Sequence, residues 1–304
     1  MKINQLTIIV LTSLVFSVSA IAQEYTFKVL VNKGKNEVKA GNAWQPLKTG
    51  STLKSTDEVK LLDNAYLGLI HATGKPLELK QAGNYKVIDL AAKVSGGGTS
   101  VLNKYTDFIL SANTDKKNRL SATGAVHRGD NLLKIYLPSS ESAIVYGSTI
   151  ILDWEKKPGV STYSVSLKSM FGDDLLSTET NESTLTIDLN DAKFQNEDNI
   201  TVEVYAKGQQ TKKTEAAYMV KRLSTADKKR IDTLLKEIQT ETMDTTSALN
   251  QLILAGFYEQ NKLLIDATTA YLQAIKLAPD VQQYKDDYNN FLLRNQMKEV
   301  KKDK

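Results

Sequence analysis

One change of hydrophobic period governs what this chain can fold into. As far as about Val220, apolar residues come in short, closely punctuated runs; from Thr225 onward they recur at three- and four-residue intervals. Ile231, Leu234, Leu235 and Ile238 mark one amphipathic helix. Residues 246–260 and 262–277 predict a helical pair, and a fourth helix is expected after Pro279-Asp280, reaching about Met297. The chain therefore reads as multidomain: a small antiparallel β module, a β-sandwich, then a short all-α tail. Its 304 residues suit two or three domains at about 100–200 residues each.

The first residues predict export. Lys2 precedes an apolar or small stretch from Leu6 to Val18, and Ala20-Ile21-Ala22 before Gln23 is a small-x-small cleavage pattern. Residues 1–22 are thus expected to be a signal peptide, too short in its apolar part for a span of about 20 residues. The sequence contains no cysteine, which excludes a disulfide scaffold and a lipid-modified cysteine. The mature chain is expected to be periplasmic or secreted, with no transmembrane span after cleavage.

Residues 23–89 predict the β module. Strands are expected over 25–31, 59–62, 65–70, 77–80 and 85–90, separated by turn signals at Lys33-Gly34-Lys35-Asn36, Gly41-Asn42, Thr49-Gly50, Thr73-Gly74-Lys75-Pro76 and Ala82-Gly83-Asn84. Trp44, Leu47, Leu53, Leu62, Leu69 and Leu79 are the expected core. Gly41-Asn42-Ala43-Trp44 with Leu47, Gly50 and Leu53, then Ala65 to Ile70, then Gly83-Asn84-Tyr85-Lys86-Val87, resemble the FecR-like family of envelope β modules over about 65 residues. That resemblance implies an envelope setting and a sensing or scaffolding role. Residues 90–131 read as a linker. Gly96-Gly97-Gly98 marks a turn or flexible point, and Val101, Leu102, Tyr105, Phe108 and Ile109 predict a short helix packed on a β module.

Residues 132–222 predict the β-sandwich. Strands are expected over 150–154, 163–167, 175–179, 183–188, 200–206 and 216–220, with turns at Lys157-Pro158-Gly159, Gly172-Asp173 and Lys207-Gly208. Trp154, Tyr163-x-Val165-x-Leu167 and Ile200-x-Val202-x-Val204-x-Ala206 resemble the fibronectin type III or immunoglobulin-like family. Ile200 stands where that family often has the tyrosine of its corner motif, so the subfamily stays open.

Within residues 223–304, the central pair resembles one tetratricopeptide repeat. Leu254, Ala255 and Tyr258 match its first helix, Ala267, Tyr271 and Ala274 its second, and Pro279 its closing proline; Gly256 falls one place late. The resemblance implies close helix packing through the alanines, with aromatics filling the space between helices. One repeat cannot bury both of its sides, so flanking helices are expected to cap it.

Candidate chemistry is sparse. The two histidines, His71 and His127, lie far apart, and no spacing suggests a metal site. Lys48-Thr49-Gly50-Ser51-Thr52-Leu53-Lys54 holds both a Lys-Thr-Gly and a Ser-x-x-Lys, but in reversed order and in contact, so a turn entering a strand is expected. Asp188, Asn190, Asp191, Glu197 and Asp198 form an acidic loop without calcium-loop spacing, and Arg128-Gly129-Asp130 is a three-residue match of low specificity. The formal charge of +4 is spread along the chain, and basic runs such as Lys228-Lys229-Arg230 lack interleaved aromatics, which argues against nucleic acid. No cofactor is expected. The function expected is a non-catalytic, exported envelope interaction or scaffold protein that binds another envelope protein through its tail and β modules. Tyr258, Tyr284 and Tyr288 are the candidate contact residues, on the expectation that they are exposed aromatics. Alternatives are a glycan- or ligand-binding accessory protein acting through the sandwich and, less favoured, a hydrolase.

Overall fold

A computed structural model describes residues 25–94, 101–114, 133–139, 143–208, 218–238 and 246–299. The expected signal peptide, the triple glycine at 96–98, His127 and the Arg128-Gly129-Asp130 tripeptide lie outside the described residues.

The first β module contains eight strands: β1 (Phe27–Lys33), β2 (Glu37–Ala40), β3 (Ala43–Pro46), β4 (Thr52–Leu53), β5 (Glu58–Leu61), β6 (Tyr66–His71), β7 (Pro76–Leu79) and β8 (Gly83–Lys86). They form two antiparallel four-stranded sheets, ordered β4-β1-β6-β7 and β3-β2-β5-β8. Phe27, Val29, Leu47, Leu53, Leu69 and Leu79 are buried in one core with Val59 and Leu67. Leu30, Val31, Tyr66 and Ile70, from β1 and β6, join a different core shared with the helices. This sheet is therefore covered on both faces, as the unbroken burial of residues 66–70 shows.

Three expectations need correction here. Trp44 is not core: β3 is a sheet edge, and the ring lies half-exposed beneath the ammonium groups of Lys39 and Lys60, 5.9 and 5.7 Å from its centroid. Leu62 is 40% exposed, one residue beyond the end of β5. The strand expected to Leu90 stops at Lys86. There α1 (Val87–Lys93) begins and buries Val87 and Leu90, three residues apart on one helical face.

Helix α2 (Val101–Thr114) occupies the expected linker position. Its apolar side meets a tail helix in the core that also takes in residues of β1 and β6, while Lys28–Asp107 (2.6 Å) and Asn103 Nδ2 to the Ala72 carbonyl (2.8 Å) tie its polar side to the first module.

The second β module pairs a two-stranded sheet with a five-stranded one. Its strands are β9 (Ile144–Val145), β10 (Thr149–Asp153), β11 (Tyr163–Ser169), β12 (Asp174–Thr180), β13 (Thr184–Asp188), β14 (Asn199–Ala206) and β15 (Tyr218–Arg222). The sheets run β10-β13 and β12-β11-β14-β15-β9, and only β15–β9 is parallel among the described pairs. Strand β14 alternates between buried and half-buried positions without a break, as a strand with one face on a core should. Trp154 and Tyr163, both fully buried, meet edge to face at 5.7 Å in that core.

The tail forms α3 (Thr225–Ile238), α4 (Ala248–Gln260), α5 (Leu264–Leu277) and α6 (Gln282–Arg294). Ser224 caps α3, accepting from the Asp227 amide and donating to its carboxylate (3.1 and 2.7 Å). Helix α4 is buried on almost every side, from Ala248 through Phe257, which makes it the centre of the molecule rather than an amphipathic cover. Gly256 lets α2 approach it: a Cβ there would lie 2.9 Å from Ile109. Tyr105 meets Phe257 edge to face across the same contact, at 5.3 Å.

Candidate interaction surface

The tail helices sit between the two β modules, and the seams on either side are tied by buried polar contacts. Against the first module, Tyr66 and Tyr284 share a hydroxyl–hydroxyl bond of 2.7 Å, and burial raises both phenols so that they stay neutral. The β1 ladder shifts register between Val29 and Val31, a bulge that leaves backbone polar groups without strand partners. Gln283 takes them up: its Nε2 donates to the Leu30 carbonyl (2.8 Å), and its Oε1 accepts from the Asn32 amide (3.1 Å). Glu78 does the equivalent for α4, accepting from Ser247 Oγ and the Leu249 amide, each at 2.8 Å. Burial alone would raise its carboxyl. The bonds from Lys80, Leu249 and Ser247 outweigh that and hold it below the usual range.

Against the sandwich, Asp266 accepts from the Tyr146 and Gly147 amides (2.9 and 2.7 Å). Thr269 Oγ1 accepts from the Ile151 amide (3.0 Å), and Tyr288 donates to Asp153 (2.7 Å). Position 147 has to be glycine for this fit, because a Cβ there would stand 2.9 Å from Asp266 Oδ1. Since that carboxylate is fixed by two amides, it cannot withdraw. Gly147→Ala is expected to cost about 1–3 kcal/mol through this clash, read as a lowered urea midpoint with an unchanged m-value.

The three tyrosines expected as exposed contacts are therefore placed otherwise. Tyr284 is fully buried against Tyr66, Tyr288 is 7% exposed and bound to Asp153, and Tyr258 is half-buried with its ring 6.3 Å from Tyr146. Each faces a β module of the same chain. The residues matched to the helical repeat are interior: Ala255, Ala267, Tyr271 and Ala274 are at most 1% exposed, and Leu254 is 8% exposed. Pro279 lies just beyond the end of α5 at the surface.

The seams also collect carboxylates pushed up by burial: Asp153 and Asp266 to about 6, and Asp287 to about 7. A folded-state value above the unfolded one means that the folded chain binds more protons between roughly pH 4 and 7, so these groups make stability fall as pH rises through that window. His71, lowered by burial and then by Lys75, opposes this with less burial. Glu78 acts only below its ordinary range. The melting temperature at about pH 5 is expected to exceed that at about pH 7.5 by at least about 3 °C, and Asp153→Asn should reduce the difference.

The remaining sequence candidates have structural explanations. Lys48 to Lys54 is a turn closed by the Ser51 amide on the Lys48 carbonyl (3.0 Å), leading into β4. His71 bonds Thr73 at 2.8 Å on the rim of the first module. In the acidic loop, the Arg222 guanidinium occupies the centre, donating to the carbonyls of Leu189, Phe194 and Glu197 at 2.8–3.0 Å. Among the described residues, no group of three or more His, Cys, Asp or Glu is placed to hold a metal ion, and no helix is long and apolar enough to cross a membrane.

Among the described residues, two clefts and a projecting turn stand out as accessible. A cleft of about 670 Å³ lies between the sandwich and the α4–α5 pair, with Gln251, Leu254, Tyr258, Lys276 and the exposed Leu277 among its lining residues. A second, of about 740 Å³, lies on the first-module side, near β1 and α6. The β11–β12 turn carries Met170 and Phe171 outward, 56% and 85% exposed. It is stiffened by Ser169, whose Oγ donates to Asp173 and accepts from the Phe171 and Asp173 amides. No protein-family model matches the chain, and no curated protein matches it.

Proposed function

We propose that this chain is a non-catalytic, exported scaffold of the cell envelope that docks another envelope protein. The observation that carries this reading is the seating of both β modules on one helical hub, which holds their outer surfaces in fixed relation. A rigid multi-module body of this kind presents a preorganised surface, which lowers the entropy cost of association. The resemblances to FecR-like modules, fibronectin type III or immunoglobulin-like sandwiches and a tetratricopeptide repeat support the same reading, since each type works through surfaces. Docking is assigned to the cleft between the sandwich and the α4–α5 pair, with Leu277 at its edge, and to the Met170-Phe171 turn. Exposed, ordered apolar side chains beside polar rims suit a protein partner.

The test is a photo-crosslinking amino acid placed singly at Leu277 and at Phe171 in the native envelope. One defined protein adduct shared by both positions is the expected result. Absence of any protein adduct from either position, with the folded protein present at normal level, would contradict the scaffold reading.

A further inference from the structure

The cleft beside β1 and α6 has a lining unlike the rest of the surface. Asn32, Gln282, Gln283, Asn289 and Asn290 contribute primary amides, Thr49 a hydroxyl, and Leu110 a single branched apolar side chain. Its volume of about 740 Å³ falls within the roughly 300–1,000 Å³ usual for small-ligand sites. Among the described residues, no lysine or arginine is part of this lining, and Asp286 and Asp287 are, so phosphate- or carboxylate-bearing ligands are disfavoured. One apolar side chain gives a lipid or a flat aromatic ligand little to bury against.

What matches is a ligand whose polar groups both donate and accept. A primary amide offers two N–H donors and a carbonyl with two lone pairs, and a hydroxyl is equally two-sided. We propose that this cleft binds a neutral polyhydroxylated ligand, a short stretch of uncharged polysaccharide. The amides are already oriented. Gln283 is fixed between Leu30 and Asn32, Gln282 Nε2 donates to Asp286 (3.0 Å), and Asn289 Oδ1 accepts from Lys298 Nζ (2.6 Å). Gln283 also accepts from the Thr49 hydroxyl (3.1 Å), and Asn32 is held by Leu47 and Asn36, so these two serve as a fixed floor. Gln282 and Asn289 each use part of their capacity and leave the rest for a ligand, at little further ordering cost. With no aromatic ring among the described lining residues to stack on a sugar face, affinity rests on hydrogen bonds and is expected near 0.1–1 mM, about −4 to −5.5 kcal/mol. The site is separate from the protein-docking cleft, so it stands or falls without that reading.

The experiment is a titration of the mature full-length chain with maltotetraose, cellotetraose and tetra-N-acetylchitotetraose, followed by calorimetry and by NMR of the amide side chains. At least one is expected to saturate the protein, with an affinity insensitive to salt, while the anionic tetragalacturonate does not bind. Preference for the N-acetylated oligomer assigns the ligand to amino-sugar polymers, and preference for the others assigns it to plain glucans. The double variant Gln282→Ala with Asn290→Ala should weaken binding about tenfold at an unchanged melting temperature. Should that variant fold poorly, Thr49→Trp at the exposed rim provides an independent block of the cleft. Failure of all three neutral oligosaccharides to saturate by about 10 mM would overturn the proposal, as would binding that these variants leave untouched.

Discussion

A chain lacking residues 225–304 is expected to lose the cooperative fold of its first β module, not merely a docking surface. The deletion strips α4 and its neighbours from the outer face of the β4-β1-β6-β7 sheet and exposes Leu30, Val31, Tyr66 and Ile70, each at most 4% exposed in the intact chain. At about 1.5–3 kcal/mol for each large apolar side chain, the loss is about 6–12 kcal/mol, as large as the whole stability of an ordinary domain. The same deletion orphans the Leu30 carbonyl and Asn32 amide that Gln283 satisfies at the bulge. Circular dichroism should show a broadened, low-temperature transition, and limited proteolysis should cleave within residues 27–71 while the intact chain resists. A sharp transition near that of the full chain would mean that the β module folds without the helices.

Arg294→Ala is expected to be the most damaging single substitution in the tail. Glu259 on α4 and Arg294 on α6 form a two-pronged ion pair, with Nε to Oε1 at 2.6 Å and Nη2 to Oε2 at 2.5 Å. The two side chains are only 5% and 9% exposed, and Asn295 and the Tyr271 hydroxyl complete the network. Removing the guanidinium leaves a buried carboxylate without its counter-charge, at a cost of about 3–5 kcal/mol. For a protein of this size that is a fall of roughly 5–8 °C in melting temperature. The double variant Glu259→Met with Arg294→Met removes both charges and should recover much of the loss, because well-packed apolar replacements avoid the desolvation penalty. A double variant no more stable than Arg294→Ala would show that the damage is steric rather than electrostatic.

Much of this architecture is legible locally. Turn signals and apolar runs place most strands to within two residues, but they predict no strand at β2, β3 or β9, and β8 ends four residues before the expected Leu90. The helical spacing after Thr225 yields all four tail helices. Two signals also speak to the hub. Residues 248–257, almost without charge or clear polar face, read as a helix buried all round, and the unbroken run from Tyr66 to Ile70 reads as a strand covered on both sides. What local pattern could not supply is which surfaces meet. Tyr284, Tyr288 and Phe291 form a stripe on α6 that suits an external contact as well as an internal seam. The partners that settle it, Tyr66 and Asp153, are 218 and 135 residues away in sequence. Trp44 misleads for the opposite reason: a large ring suggests a core, but on an edge strand two lysines can cover it. Arg222 in the acidic loop is equally non-local, being brought there by β15 rather than by any motif.

Zero-length carbodiimide crosslinking of the unmodified protein, read by mass spectrometry at low concentration, addresses the hub most directly. Such a reagent joins an amine and a carboxylate already in contact. Lys33–Asp280 bridges the first module to the tail, and Lys134–Glu299 bridges the sandwich to it at 3.3 Å. Lys207–Glu179, within the sandwich at 2.7 Å, is an internal control. Both seam crosslinks, formed within one monomer and as readily as the control, are the expected result. Formation of the control crosslink while both seam crosslinks are missing would mean that the helices do not hold the two β modules together.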